Sequence, residues 1–296
     1  MGVRMRNPTP MIKARQALLL SLALLASGFA DRSAAAAELK FGFTPVLGQS
    51  QTKAEFDPLM AYLSGAIGQE VSLYVAKDYG DLRTMMESGA VDIGSFSPFA
   101  YVDAARGGKV RIIAQSLLEG SGTYRGLIVV RKDSGLRTLA DLAGKRFAYV
   151  DPKSASGYVY PRAMLLEKGI HPDTSFSEVI FAGDHNKVIA AVLGRQVDAG
   201  AIYDGALRIA RNAGAQTDDL SILASTDPIP HDAVTVRSGL DPILAQKIRD
   251  ALVGMDMTDA GRRVIAASKK GLTGFVPAED SLYDPVRRTA KTAGMK

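Results

Sequence analysis

Apolar residues along this chain recur at two spacings. Short runs that are apolar throughout or at alternate positions predict strands, and runs with apolar residues three and four apart predict helices. Residues 39–43 read as a strand that stops at Thr44-Pro45. In 51–67, Phe56, Leu59, Met60, Leu63 and Ile67 fall on one helical face. The alternation continues with strand 71–75, helix 82–87, strand 91–94, a helix opened by Ser97 or Pro98, and strand 110–115. It resumes with strand 146–150, helix 158–168, strand 178–182, helix 187–193, strand 197–202 and helix 204–212. The C-terminal part reads as helices at 242–255, 260–268 and 283–293. Strands alternating with amphipathic helices predict an α/β protein built on mainly parallel sheets.

Two internal echoes suggest that this pattern is laid out twice. Gly89-Ala-Val-Asp-Ile-Gly94 resembles Gly194-Arg-Gln-Val-Asp-Ala-Gly200 with one residue inserted, and each follows a helix and opens a strand. Leu127-Ile-Val-Val-Arg131, followed by Ser134-Gly-Leu136, resembles Ala233-Val-Thr-Val-Arg237, followed by Ser238-Gly-Leu240. The expectation is two α/β lobes, one of 38–125 plus 237–296 and the other of 126–236. Two extended hinge crossings, near 123–131 and 231–237, would join them.

The first residues have another character. Arg4, Arg6, Lys13 and Arg15 precede an apolar run from 17 to 30 with no intervening acid. About 14 residues is short of the ~20 that span a bilayer and matches the core of a secretory signal. Small residues follow, so 1–37 is expected to be a signal and cleavage region, and the protein to be periplasmic. The formal charge of +5 comes from 36 Lys and Arg against 31 Asp and Glu. Five of those basic residues and one acid precede Glu38, which leaves the remainder near neutrality and gives nucleic acid no basic tract to bind. The chain has no cysteine and three histidines. Disulfides and thiolate metal sites are excluded, and a histidine zinc site has too few ligands. No nucleotide, zinc-protease or nucleophile-elbow motif is present, and no reaction or cofactor is expected.

Four stretches carry candidate binding chemistry. Asp151-Pro-Lys-Ser-Ala-Ser-Gly-Tyr-Val-Tyr-Pro161 follows a strand and opens a helix. Ser154, Ser156 and the amides around Gly157 would sit at a helix N-terminus, where free N–H groups and the helix dipole favour an anion. Ordinary N-capping by either serine is the alternative. Gly183-Asp184-His185-Asn186 occupies an equivalent strand-to-helix turn. There His185 would point into the strand-end crevice where open α/β sheets bind ligands, or lie at the surface. Asp204, after Ile202-Tyr203, is either an N-cap or an acceptor for a protonated ligand group. In Ser95-Phe-Ser-Pro-Phe-Ala-Tyr101, Ser97 is a binding candidate and Tyr101 reaches the cleft or packs in the core with Phe96 and Phe99, and Thr44 would belong to the cleft wall. Tyr124 is a weaker candidate, and His231 is weighted toward hinge packing.

These motifs resemble the phosphate/phosphite/phosphonate-binding proteins of ABC transporters. The resemblance runs over essentially the whole chain after the signal. It is carried by Phe41-Gly-Phe-Thr-Pro45, by 91–101, by 151–157, by Gly183-Asp-His185 and, more weakly, by Ile229-Pro-His-Asp232. It implies a two-lobed periplasmic-binding-protein fold, type II-like, that closes on its ligand about a hinge. It further implies an oxyanion held by Ser154, Ser156 and Gly157, contacts from His185 and Tyr101, and Asp204 as the acid that receives a ligand hydroxyl or amine. The expected partners are the small oxyanion and a transporter permease, with a membrane sensor kinase as the alternative, and the protein is expected to be a monomer. One departure is Ala155, where phosphonate binders often carry a hydroxyl residue.

Overall fold

The computed structural model describes residues 1–3, 37–46, 49–268 and 270–295. The expected signal, 1–37, lies almost wholly outside them. The strands are β1 (Leu39–Phe43), β2 (Val71–Val75), β3 (Ile93–Phe96), β4 (Val110–Leu118), β5 (Thr123–Arg131), β6 (Arg146–Tyr149), β7 (Glu178–Phe181), β8 (Ala199–Tyr203), β9 (Leu220–Pro230), β10 (Ala233–Arg237) and β11 (Leu272–Pro277). The helices are α1 (Gln49–Ile67), α2 (Asp81–Glu87), α3 (Pro98–Ala105), α4 (Tyr160–Glu167), α5 (Pro172–Ser175), α6 (His185–Leu193), α7 (Ala206–Asn212), α8 (Pro242–Val253), α9 (Asp259–Ala267) and α10 (Asp284–Thr292).

The strands form two sheets, ordered β11-β4-β10-β3-β1-β2 and β7-β6-β8-β5-β9. This is the expected two-lobed α/β fold, with strand directions more mixed than expected. β1 pairs in parallel with β2 and β3, but β10 runs antiparallel to β3 and β4, and β11 antiparallel to β4. In the second sheet β6 is parallel to β7 and β8, while β5 is antiparallel to β8 and β9. The chain changes sheet between Leu118 and Thr123 and returns between Pro230 and Ala233. The stretch 123–131 is therefore a strand of the second sheet, and the first crossing lies just ahead of it. Residues 233–237 likewise belong to the first sheet. The crossings lie side by side: His231 N donates to Gly122 O at 3.0 Å, and Thr123 pairs with Pro230.

Burial follows the sequence pattern. Leu127-Ile-Val-Val130 is apolar at four successive positions, and the strand it forms is covered on both faces. Leu127 and Val129 pack with Val150, Val188, Val192 and Ile202, whereas Ile128 and Val130 pack with Phe147, Tyr149 and Leu165. One face of the first sheet packs Phe41 and Phe43 against Leu59 and Leu63 of α1 and Ile248 and Leu252 of α8. On its other face, Phe96, Phe99, Tyr283 and Val286 form a cluster that continues into Val159, Tyr160 and Ile229 of the second lobe. The two echoed Asp residues perform one task twice. Asp92 accepts Lys40 N and pairs with Arg237, and Asp198 accepts Arg146 N and pairs with the Arg146 side chain.

Candidate ligand-binding cleft

The serine turn is built by its own short-range chemistry. Ser154 is extended and its Oγ accepts Gly157 N at 3.0 Å. Val159 N then reaches Ser154 O, five residues back, so the helix starts with one π-type turn (Ala155–Val159) before α4. Such turns are rare and concentrate at functional positions. Gly157 is required by packing: a Cβ there would lie 2.4 Å from Val150 Cγ2 and 2.8 Å from Ser154 Oγ.

The second turn is fixed in the same way. Gly183 has φ +91°, a conformation that side chains disfavour. Asp184 follows as N-cap of α6, accepting Lys187 N at 2.9 Å, and His185 is the first helical residue. The His185 ring is 2% exposed and its Nδ1 accepts Tyr203 N at 3.2 Å. The ring proton therefore resides on Nε2. Burial, reinforced by the charge of Lys270, pushes the His185 pKa down to about 3. The ring is neutral at physiological pH and can donate through Nε2–H.

Both turns open on one small cavity of about 30 Å³ between the two sheets. The second lobe contributes Ser154, Ser156, His185, Tyr124 and Tyr203; the first contributes Val46, Tyr79, Ser97, Leu118 and Lys270; His231 and Asp232 come from the return crossing. Three lining hydroxyls, Tyr79 Oη, Ser97 Oγ and Tyr203 Oη, are buried without a hydrogen-bond partner. Tyr79 Oη lies near Ser154, but no hydrogen bond forms between them. Buried polar atoms are normally paired, so three unpaired on one cavity mark a place for a polar ligand. Burial raises the pKa of Tyr79, Tyr124 and Tyr203 well above the ordinary phenol value, so all three keep a proton to donate. His231 stacks on Tyr124 with centroids 4.9 Å apart, and burial pulls its pKa down to about 4. The charged lining groups, Asp232 and Lys270, pair at 3.4 Å. What remains is a set of neutral donors, suited to a desolvated anion.

The lobes meet around this cavity. Lys153, beside the serine turn, pairs with Asp103 on α3, and Asn186 Nδ2 donates to Gln51 Oε1 at 2.7 Å. His185 N reaches Val46 O at 3.4 Å.

Of the residues singled out in the sequence, Ser97, Ser154, Ser156 and His185 line the cavity, as do Tyr124, the weaker candidate, and His231, which was weighted toward hinge packing. Gly157 and Thr44 stand behind it: Thr44 Oγ1 donates to Ser95 O and accepts Ser97 N. Tyr101 is placed elsewhere, its hydroxyl donating to Asp280 at 2.6 Å and its ring edge-on to Tyr283. It follows Ser97 by one helical turn, which carries it onto the face of α3 that meets the C-terminal segment. Asp204 holds a loop, accepting Arg125 N and Gly205 N at 2.9 Å each. Tyr79, Tyr203, Asp232 and Lys270 were not singled out. They share no local motif and come together through the strand order, although Tyr203 belongs to the stretch Ile202-Tyr203-Asp204 and Asp232 to Ile229-Pro-His-Asp232.

A cavity edged by hydroxyl and imidazole groups, between two mixed α/β sheets joined by two adjacent crossings, is the arrangement of a bilobal binding protein. Residues 41–283 match the family described as the phosphonate periplasmic substrate-binding proteins of ABC transporters, and the chain belongs to that family. It is 29% identical over 273 residues to the phosphate-import protein PhnD of Mycolicibacterium smegmatis, covering 84% of each chain. It is 27% identical over 261 residues to the phosphonates-binding periplasmic protein of Escherichia coli, covering 85% of this chain and 75% of that one. In fold it is similar to the crystal structure of a binding-protein component of an ABC phosphonate transporter from Pseudomonas aeruginosa. The TM-score is 0.80 at 22% identity, over 87% of this chain and 86% of that one.

Proposed function

We propose that this protein is a periplasmic receptor that captures a small phosphorus oxyanion (phosphonate, phosphite or phosphate) and delivers it to the permease of an ABC transporter. The observation that carries the proposal is the convergence of three unpartnered buried hydroxyls with Ser154, Ser156 and His185 on one cavity. A tetrahedral oxyanion offers several acceptor oxygens, and these neutral donors approach from both lobes. The names of the relatives support phosphorus as the central atom.

Binding needs no reaction. Ligand enters between the lobes, takes Ser154, Ser156 and His185 from one side and Tyr79 and Ser97 from the other, and is enclosed as the lobes rotate about 119–122 and 231–232. Because the closed arrangement alone supplies both sets of contacts, ligand shifts the hinge equilibrium toward it. The basic opening and the apolar run from 17 to 30 support export by a cleaved signal.

Thermal melts of the purified protein with phosphate, phosphite, methylphosphonate and sulfate test the proposal. Binding to the native state stabilises it by about 2.7 kcal/mol when ligand stands at 100 times its Kd. The expected result is a saturable rise in melting temperature with at least one phosphorus compound. Stabilisation by sulfate alone, or by none of the four, contradicts it.

A further inference from the structure

Among the residues that line the cavity, one carries a carboxylate and one an ammonium group, and they are bound to each other. Lys270 Nζ lies 3.4 Å from Asp232 Oδ2, with the side chains 10% and 15% exposed. Lys270 is held in place from its other sides. Its amide donates to Glu55 Oε1 at 2.9 Å, its carbonyl accepts Arg208 Nη2 at 3.1 Å, and its ammonium stands 5.9 Å from the centroid of the Phe56 ring. Asp204, which follows the cavity residue Tyr203, is engaged by two backbone amides.

We infer that the Asp232–Lys270 pair is the selectivity element of the cavity, admitting phosphorus oxyanions that have no cationic substituent and rejecting those that carry an amine, such as 2-aminoethylphosphonate. This rests on the phosphorus-oxyanion reading. A ligand ammonium group taken out of water needs a carboxylate partner. The carboxylate on offer already has one, and the Lys270 ammonium repels a second cation in a medium where charges are weakly screened. The same ammonium attracts the anionic end of a ligand.

Titration calorimetry with phosphate, phosphite, methylphosphonate and 2-aminoethylphosphonate tests the inference on the wild-type protein and on Lys270→Gln. The wild type is expected to bind the tightest of the three unaminated ligands about tenfold or more tighter than the amino compound. In Lys270→Gln, Asp232 is released, and the ratio narrows by about tenfold through a gain for 2-aminoethylphosphonate. Adding Asp232→Asn to that variant abolishes the gain. Should Lys270→Gln fail to fold, the wild-type ratio decides alone. Wild-type binding of the amino compound as tightly as the others, or an unchanged ratio in folded Lys270→Gln, overturns the inference and leaves the phosphorus-oxyanion reading in place. Binding of none of the four removes both.

Discussion

His185 Nδ1 accepts the backbone N–H of Tyr203 at 3.2 Å, so a strand of the second sheet sets the tautomer of a ring on the helix beside it. The ring is also edge-on to Tyr203 with centroids 4.8 Å apart. A preoriented neutral donor loses little freedom when ligand arrives. His185→Ala is expected to weaken oxyanion binding by about 1–3 kcal/mol, the cost of a ligand oxygen left without its donor. Calorimetry at pH 7 reads the loss, and unchanged affinity removes His185 from the site.

The two cleft imidazoles also set a pH dependence of stability in the ligand-free protein. In the unfolded chain both protonate as the pH falls through 6.5; in the native protein they remain neutral until about 4 for His231 and about 3 for His185. Between those limits the unfolded chain binds more protons, so stability falls as pH falls. The limiting slope is about 1.4 kcal/mol per pH unit for each imidazole. Denaturant melts between pH 7.5 and 4.5 are expected to show this loss, with a shallower slope in His231→Gln. Equal slopes in the two proteins would contradict the assignment.

Ser154 and Ser156 differ in what else they do. Ser154 Oγ caps the helix through Gly157 N, so Ser154→Ala is expected to lower stability by about 1 kcal/mol as well as affinity. Ser156→Ala is expected to lower affinity with a smaller effect on stability. Melting curves and titrations of the two variants separate the roles.

Two tyrosines of the first lobe offer a matched contrast. Tyr79 Oη is buried in the cavity without a partner, while Tyr101 Oη is bound to Asp280 outside it. Tyr79→Phe is expected to weaken oxyanion binding by about 1 kcal/mol without loss of stability, since it removes a hydroxyl unsatisfied in the free protein. Tyr101→Phe is expected to leave affinity unchanged and cost about 1 kcal/mol of stability. The reverse pattern would return Tyr101 to the site.

Much of the fold was legible because it rests on local pattern. The apolar spacing marks most helices and strands, and the echoed Asp residues mark corresponding strand pairings in the two lobes. β9 and β11 are edge strands whose apolar pattern is interrupted by breaker residues, Gly274 and Pro277 in β11. β9 has its polar residues half in water and carries Pro228 and Pro230, which an edge tolerates and a central strand does not. The serine turn and the Gly-Asp-His turn were legible because each is a contiguous piece of chain with its own hydrogen-bond logic. Tyr79 and Lys270 were not, since 191 positions in sequence separate them and only the strand order brings them together; Asp232 stood in the weaker stretch Ile229-Pro-His-Asp232 with no role assigned to it. Tyr101 and Asp204 lie outside the cavity lining for a related reason: partners distant in sequence, Asp280 and the Arg125 amide, hold their polar groups.

We propose above all that the cavity between the sheets is an oxyanion site served by both lobes. A crystal structure of the protein grown with methylphosphonate tests it most directly. A tetrahedral group is expected in the cavity, with its oxygens within hydrogen-bonding distance of Ser154 or Ser156, of His185 Nε2 and of at least one first-lobe hydroxyl, Tyr79 or Ser97. A ligand bound elsewhere, or one that touches only one lobe of a closed protein, would contradict it.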